Sequence, residues 1–178
     1  TEDVELDPNR KYTHSVDSVK YHGRWITLSQ LVPLNIYNQT AYSLVAETNF
    51  FNEFNFYTEK IVKPMLGKRL FIVISGQHYL RNLRAMGFKT FDGIIDETYD
   101  TMKDNDLRTE AVIKQLAWYC KLSPNEKNNV MRTLEPIVLH NFNHFYGEFR
   151  HIITQELITN TKTLFRDIGY DDNHINYD

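Results

Sequence analysis

The sequence predicts an α/β fold in which a parallel sheet is flanked by helices and a long amphipathic helix closes the chain. Tyr42-Ser43-Leu44-Val45-Ala46 and Leu70-Phe71-Ile72-Val73-Ile74 are short runs rich in apolar and β-branched residues. Such runs fit strands, and the second, apolar throughout, fits one covered on both faces. A polar loop and a helix start lie between them, as a crossover between parallel strands requires. From Ser123 onward, apolar residues recur at every third or fourth position, the period of a helix with one buried face.

Taken in order, residues 1–24 read as a tail or linker, opening with Glu2, Asp3, Glu5 and Asp7. Residues 25–178 read as one packed domain beginning near Trp25-Ile26-Thr27-Leu28, with a turn over Ser29–Pro33. Leu34–Thr40 alternates apolar and polar residues, as an edge strand or an ordered loop would. After the 42–46 strand, Thr58 can cap a helix with Glu59 and Lys60 in its first turn. Pro64 keeps that helix short, with its end near Gly67. His78–Met86 has helical spacing and stops at Gly87, with Arg81 and Arg84 on a solvated face. Phe88-Lys89-Thr90-Phe91 reads as a third strand.

Asp104 and Asp106 precede Leu107, Ala111 and Leu116 at helical spacing, so they suit a helix N-terminus better than a metal-binding D-x-D pair. Cys120 shares an apolar stripe with Leu116 and reads as an inert core thiol. Ser123-Pro124-Asn125-Glu126 has capping-box spacing. The helix it starts carries Val130, Leu134, Ile137, Val138, Phe142, Phe145, Phe149, Ile152, Ile153 and Leu157 at three- or four-residue spacing, with Pro136 as a point for a kink. His140 and His144, four apart on that helix, read as structural or solvated because no further ligand is spaced for zinc.

Composition removes several classes. A chain of 178 residues suits one domain, and 42% hydrophobic residues suffice for a core. A net charge of −3 gives no footprint for nucleic acid. No apolar run approaches the roughly 18–20 residues of a membrane helix, and no signal peptide is visible. The single cysteine fits a reducing compartment, so the expected location is cytoplasmic. The chain starts at Thr1 rather than Met, so processing or excision from a longer protein is expected. No G-x-S-x-G, Walker or G-x-G-x-x-G signature is present, which takes the best support from acyl transfer, P-loop and dinucleotide chemistry.

What remains is a helix tip. The first amides of a helix have no partner within it, and its dipole favours an anion there. Lys60 adds a positive charge where the dipole alone would reject one, so a phosphate or diphosphate would satisfy all three. Glu47, at the carboxyl end of the preceding strand, lies where open α/β sheets place ligand contacts.

These residues resemble a known signature. Glu47-Thr48-Asn49, then Phe56-Tyr57-Thr58-Glu59-Lys60, then Phe71-Ile72-Val73-Ile74-Ser75-Gly76 are similar to the donor-binding segment of α-1,3-fucosyltransferases. The likeness spans residues 41–76. Thr48 and Asn49 stand where the family has Asn and Ser, and Lys63-Pro64 replaces its Arg-Asn.

The resemblance implies a Rossmann-like domain, the C-terminal half of a two-domain GT-B glycosyltransferase. It implies that Lys60 contacts the diphosphate, that Glu59 and Glu47 bind ribose or sugar hydroxyls, and that Asn49, Thr58, Ser75 and Gly76 complete the site. The partners implied are a nucleoside diphosphate sugar such as a GDP-sugar, a glycan or other hydroxyl acceptor, and an upstream acceptor-binding domain. No cofactor or metal is implied, the transfer inverts, and the catalytic base comes from the other half, so it is not assigned here. A phosphate-binding module without catalysis and a protein-interaction domain are the competing expectations.

Overall fold

The computed structural model describes residues 4–5, 9, 11, 17–51 and 54–169. The fold is mixed α/β and divides into two compact units, Thr1–Phe142 and Asn143–Asp178. Most of residues 1–16 and all of 170–178 lie outside the described residues, so the expected N-terminal tail is only partly represented.

The first unit opens with an antiparallel ladder of β1 (Val4–Glu5), β2 (Ser18–Tyr21) and β3 (Arg24–Thr27). His22 and Gly23, at φ 45° and 75°, make the two-residue turn between β2 and β3. Both positive angles match the right-handed twist of a hairpin. Regular structure therefore starts before Trp25, whose side chain is 70% exposed. Val19 and Leu31 form the small buried cluster here, with Ile26 and Leu28 against it.

A 3-10 turn over Leu28–Gln30 leads to α1 (Leu34–Tyr37). The alternation over Leu34–Thr40 thus belongs to one helical turn entered from Pro33, not to an edge strand. Then come β4 (Tyr42–Ala46), α2 (Glu59–Leu66) and β5 (Leu70–Ile74), the expected strand–helix–strand crossover. β4 and β5 pair in parallel from Tyr42↔Leu70 to Ala46↔Ile74. α2 buries Ile61, Pro64 and Met65, so the proline ring that shortens the helix also helps seat it. The chain leaves α2 through Gly67, where a Cβ would come within 3.0 Å of the Tyr37 ring. β5 is buried along nearly its whole length, as its composition predicts.

α3 (Tyr79–Ala85) buries Tyr79, Leu80 and Leu83 and gives way to Gly87 at φ 89°. The expected third strand at Phe88–Phe91 is absent; the segment is irregular, followed by an isolated bridge between Asp92 and Ile95. Its burial is strand-like, with Phe88, Thr90 and Phe91 all inside, but a side chain serves its backbone. Asn141 accepts from the Lys89 amide at 2.7 Å and donates to the Lys89 carbonyl at 2.8 Å. With those groups satisfied by a side-chain amide, the segment has a partner in place of a neighbouring strand.

Arg84 is likewise more engaged than a solvated residue: it contacts Glu97 at 2.9 Å and Thr90 Oγ1 at 2.7 Å. Glu97 is buried and also accepts from Thr90 Oγ1 and the Phe91 amide. Burial pushes the Glu97 carboxyl above its ordinary range, outweighing the downward pull of those hydrogen bonds and of the guanidinium. A carboxyl raised on folding contributes stability below its unfolded value and loses it as pH rises through the folded value. Glu97→Gln is therefore expected to gain stability relative to the parent as pH rises from about 4 to about 7. Urea melts across that range check it; a pH-independent difference would mean that burial does not oppose ionisation at this position.

A 3-10 turn over Thr98–Thr101 precedes α4 (Asn105–Lys121). Asp104 is the N-cap of α4, accepting from the amides of Asp106 and Leu107, as the D-x-D segment predicts. α4 buries Arg108, Val112 and Tyr119. Cys120 is exposed, so the expected core thiol is not found; Tyr119, one position earlier, takes the buried place.

α5 (Pro124–His144) starts at the Ser123–Glu126 box, whose reciprocal hydrogen bonds form as expected. Leu134, Val138 and Asn141 are its buried residues in the first unit. The helix runs on through Pro136. In the second unit a π-helical turn over Phe145–Phe149 leads into α6 (Arg150–Asp167), which leaves Ile153, Leu157 and Leu164 exposed. No helix among the described residues is long and apolar enough to cross a membrane.

Candidate functional site

Both parallel strands deliver the chain to one edge, where β4 runs into Glu47 and β5 into Ser75. The Glu47 amide adds one more rung by donating to the Ile74 carbonyl at 3.0 Å. Glu47 is buried, and its carboxylate is engaged on both oxygens. Thr58 donates to it from the hydroxyl at 2.7 Å and from the amide at 3.3 Å; the Tyr79 hydroxyl donates at 2.8 Å. The strand end thus holds the tip of α2 in place through Thr58.

Thr58 in turn caps α2, its Oγ1 accepting from the Lys60 amide at 3.3 Å. The Lys60 ammonium lies over this cap, 3.3 Å from Thr48 Oγ1 and 3.4 Å from Thr58 Oγ1. Glu59 is 3.5 Å away, and both side chains are about one-third exposed. The ammonium therefore reaches solvent while the hydroxyls beneath fix its place. Glu47 and Lys60 meet at the same threonine.

The other edge residues brace the loops. Asn49 donates through Nδ2 to the Phe54 carbonyl and accepts from Ser75 Oγ through its own carbonyl at 3.4 Å. Gly76 is buried, and the neighbouring Gln77 carbonyl accepts from Asn55 Nδ2 at 3.3 Å. The Tyr57 hydroxyl donates to the Tyr79 carbonyl at 3.0 Å, and the rings lie 4.5 Å apart. Burial first, then nearby carboxylates, push both tyrosines well above the ordinary phenol range, so they stay neutral donors.

The two helix tips at this edge differ. That of α3, which follows β5, already holds a protein carboxylate: Asp100 accepts from the amides of Leu80 at 2.8 Å and Arg81 at 2.9 Å. That of α2 carries an ammonium. At the second, the ammonium stands beside the Glu59 and Glu47 carboxylates, so among the described residues it is the one positive group there that an anion from solution could meet.

Arg108 is the largest contributor that sequence reasoning missed. It is 3% exposed, and its guanidinium donates to the carbonyls of Ser75 at 2.8 Å, Met102 at 2.7 Å and Phe50 at 3.3 Å, and to Asn105 Oδ1. Phe50 also lays its ring 5.2 Å from the guanidinium carbon. One cation therefore ties together the loops leaving both strands. Burial draws its pKa down, and the charges of Asp100 and Asp104 oppose that. Helical spacing places Arg108 in line with Val112 and Tyr119, the one signal that it faces inward. Tyr79 and Asp100 carried no such mark.

Among the described residues, no group of three His, Cys, Asp or Glu side chains is placed to hold a metal ion. His140 Nε2 lies 2.9 Å from the Gly87 carbonyl, which assigns it a structural hydrogen bond. No protein-family model, curated protein or solved structure matches the chain.

Proposed function

We propose that the first unit is a Rossmann-like donor-binding domain of a GT-B glycosyltransferase. In this reading it holds a nucleoside diphosphate sugar by its diphosphate for inverting transfer to a hydroxyl acceptor, as a fucosyltransferase does. The observation that carries the reading is the Lys60 ammonium, anchored on Thr48 and Thr58 at the tip of α2 on the carboxyl edge of a parallel strand pair. Ligands of open α/β sheets bind at that edge.

In the transfer, the bond from the sugar's anomeric carbon to the diphosphate breaks as a bond to the acceptor oxygen forms. The acceptor's proton goes to a base outside the residues named here. Lys60 neutralises the charge that builds on the departing diphosphate, an electrostatic contribution worth most in the transition state. Glu59, beside it and partly exposed, is placed to accept from a ribose or sugar hydroxyl. Glu47 acts at one remove, positioning the cap through Thr58.

Calorimetric titration of the full chain with GDP, UDP and inorganic pyrophosphate tests the site. The parent is expected to bind at least one nucleoside diphosphate, and Lys60→Met to weaken it tenfold or more while the melting temperature holds. Glu59→Gln is expected to weaken nucleoside diphosphates but not pyrophosphate. A parent that ignores all three ligands, or a Lys60→Met protein that binds like it, would sink the reading. Sugar transfer, assayed with any acceptor domain of the parent protein present, then separates an enzyme from a non-catalytic diphosphate binder.

A further inference from the structure

A second concavity lies in the first unit, away from the α2 tip. A cavity of about 380 Å³ is bounded by the 3-10 turn after β3, by α1, by β4 and by Lys63 of α2. Tyr42, Ser43 and Leu44 all line it. Successive side chains of a strand point to opposite faces, so a cavity touched by three consecutive residues runs along the strand's edge rather than over a face. Among the described residues β4 pairs with β5 alone, which makes this its open edge. An open edge presents a row of amides and carbonyls as a template for another strand. The walls are apolar, from Leu28, Pro33, Ile36 and Leu44. Leu44 and Ile36 are exposed, at 46% and 39%.

The charged group is Lys63. Half-buried on α2, it lines the cavity, its ammonium donates to the Leu28 carbonyl, and burial draws its pKa down despite the Glu59 carboxylate one turn earlier. The partner in that hydrogen bond is neutral, so a carboxylate arriving in the cavity would give the ammonium a charge-assisted hydrogen bond in its place.

We propose that this groove binds the carboxyl terminus of an extended peptide. The peptide backbone adds to the edge of β4, its terminal carboxylate pairs with Lys63, and its last apolar side chain fills the space beside Ile36 and Leu44. Each requirement of strand addition with carboxylate capture corresponds to one feature of the groove. The volume suits one or two apolar side chains, and the lysine supplies the charge complementary to a chain end. This inference does not depend on the diphosphate reading, since Lys60 takes no part in it.

The test uses two pools of fluorescein-labelled hexapeptides with randomised apolar C-terminal residues, one with free carboxylates and one with carboxamides. Each is passed over the immobilised full chain, and retained peptides are titrated by anisotropy. The free-acid pool is expected to yield binders at least tenfold tighter than their amides. Lys63→Met is expected to erase the difference, and Leu44→Asp to abolish binding, while Lys60→Met leaves both pools unchanged. Circular dichroism and melting temperature establish that the variants fold. Retention of neither pool, equal retention of both, or an acid preference that survives Lys63→Met overturns the proposal. So does a concentration-dependent dimer in sedimentation that Leu44→Asp dissolves, because the edge would then pair with a second copy.

Discussion

Arg108→Met is expected to cost about 3–4 kcal/mol of folding stability, near the upper end for a point substitution. Two terms oppose each other. Removing a buried guanidinium relieves its desolvation, and burial indeed draws the Arg108 pKa down. Against this, the carbonyls of Phe50, Ser75 and Met102 all lose their donor at once. Each acceptor left buried without a partner costs about 1–3 kcal/mol, so several together outweigh the relief. Arg108→Lys separates charge from geometry. An ammonium is a point donor on a flexible stem and cannot span carbonyls that a planar fork reaches together, so it should recover less than half of the loss. Urea denaturation measures both variants. A loss below about 1 kcal/mol for the methionine variant would show that the loops hold their positions without the guanidinium. Under conditions where the lysine variant remains folded, the nucleoside diphosphate binding proposed for this edge should also fall, because Phe50 and Ser75 belong to the loops that leave β4 and β5.

How far the sequence foretells this protein depends on the range over which each signal acts. The β4–α2–β5 crossover is legible because its cues are local: apolar runs of strand length, a threonine cap, and Gly67 at the end of a helix that Pro64 keeps short. The Asp104 and Ser123 caps are legible for the same reason, since the partners lie within three residues. Failures come where the deciding partner is distant. Phe88–Phe91 has the composition of a strand, yet its backbone is satisfied by Asn141, separated from Lys89 by 52 residues, and no window over 88–91 contains that information. Arg84 reads as solvated because Glu97 and Thr90 meet it only after the chain has turned. Cys120 reads as buried because a stripe through Leu116 can be drawn through either 119 or 120, and the larger Tyr119 takes the inner place. At the candidate site, Lys60, Thr58 and Glu47 were named from spacing, and the structure joins them through one hydroxyl. Glu47 reads as an acceptor for ribose or sugar hydroxyls, whereas its carboxylate accepts from Thr58 and Tyr79: Tyr79 lies beyond β5, and the pairing requires the parallel register.

Replacing Asn141 should be about as damaging, and the form of the damage is informative. Asn141 is 1% exposed and exchanges a pair of hydrogen bonds with Lys89, as a strand neighbour would. Asn141→Leu, similar in volume, removes donor and acceptor together and leaves the part-buried Lys89 amide and carbonyl without the Asn141 side chain; about 2–4 kcal/mol should be lost. Asn141→Asp keeps an acceptor for the amide but turns a charged oxygen toward the Lys89 carbonyl. Repulsion and burial then raise the new carboxyl's pKa in the folded state. The sign follows: the aspartate variant should be least stable relative to the parent at neutral pH and recover as pH falls through the raised value, where a proton restores a donor. The leucine variant has nothing to titrate and should stay uniformly weak. Melts of the three proteins between about pH 4 and pH 8 distinguish these outcomes. Equal, pH-independent losses in both variants would mean that Asn141 matters for its packing and that the segment 88–91 draws its order from Phe88 and Phe91 instead.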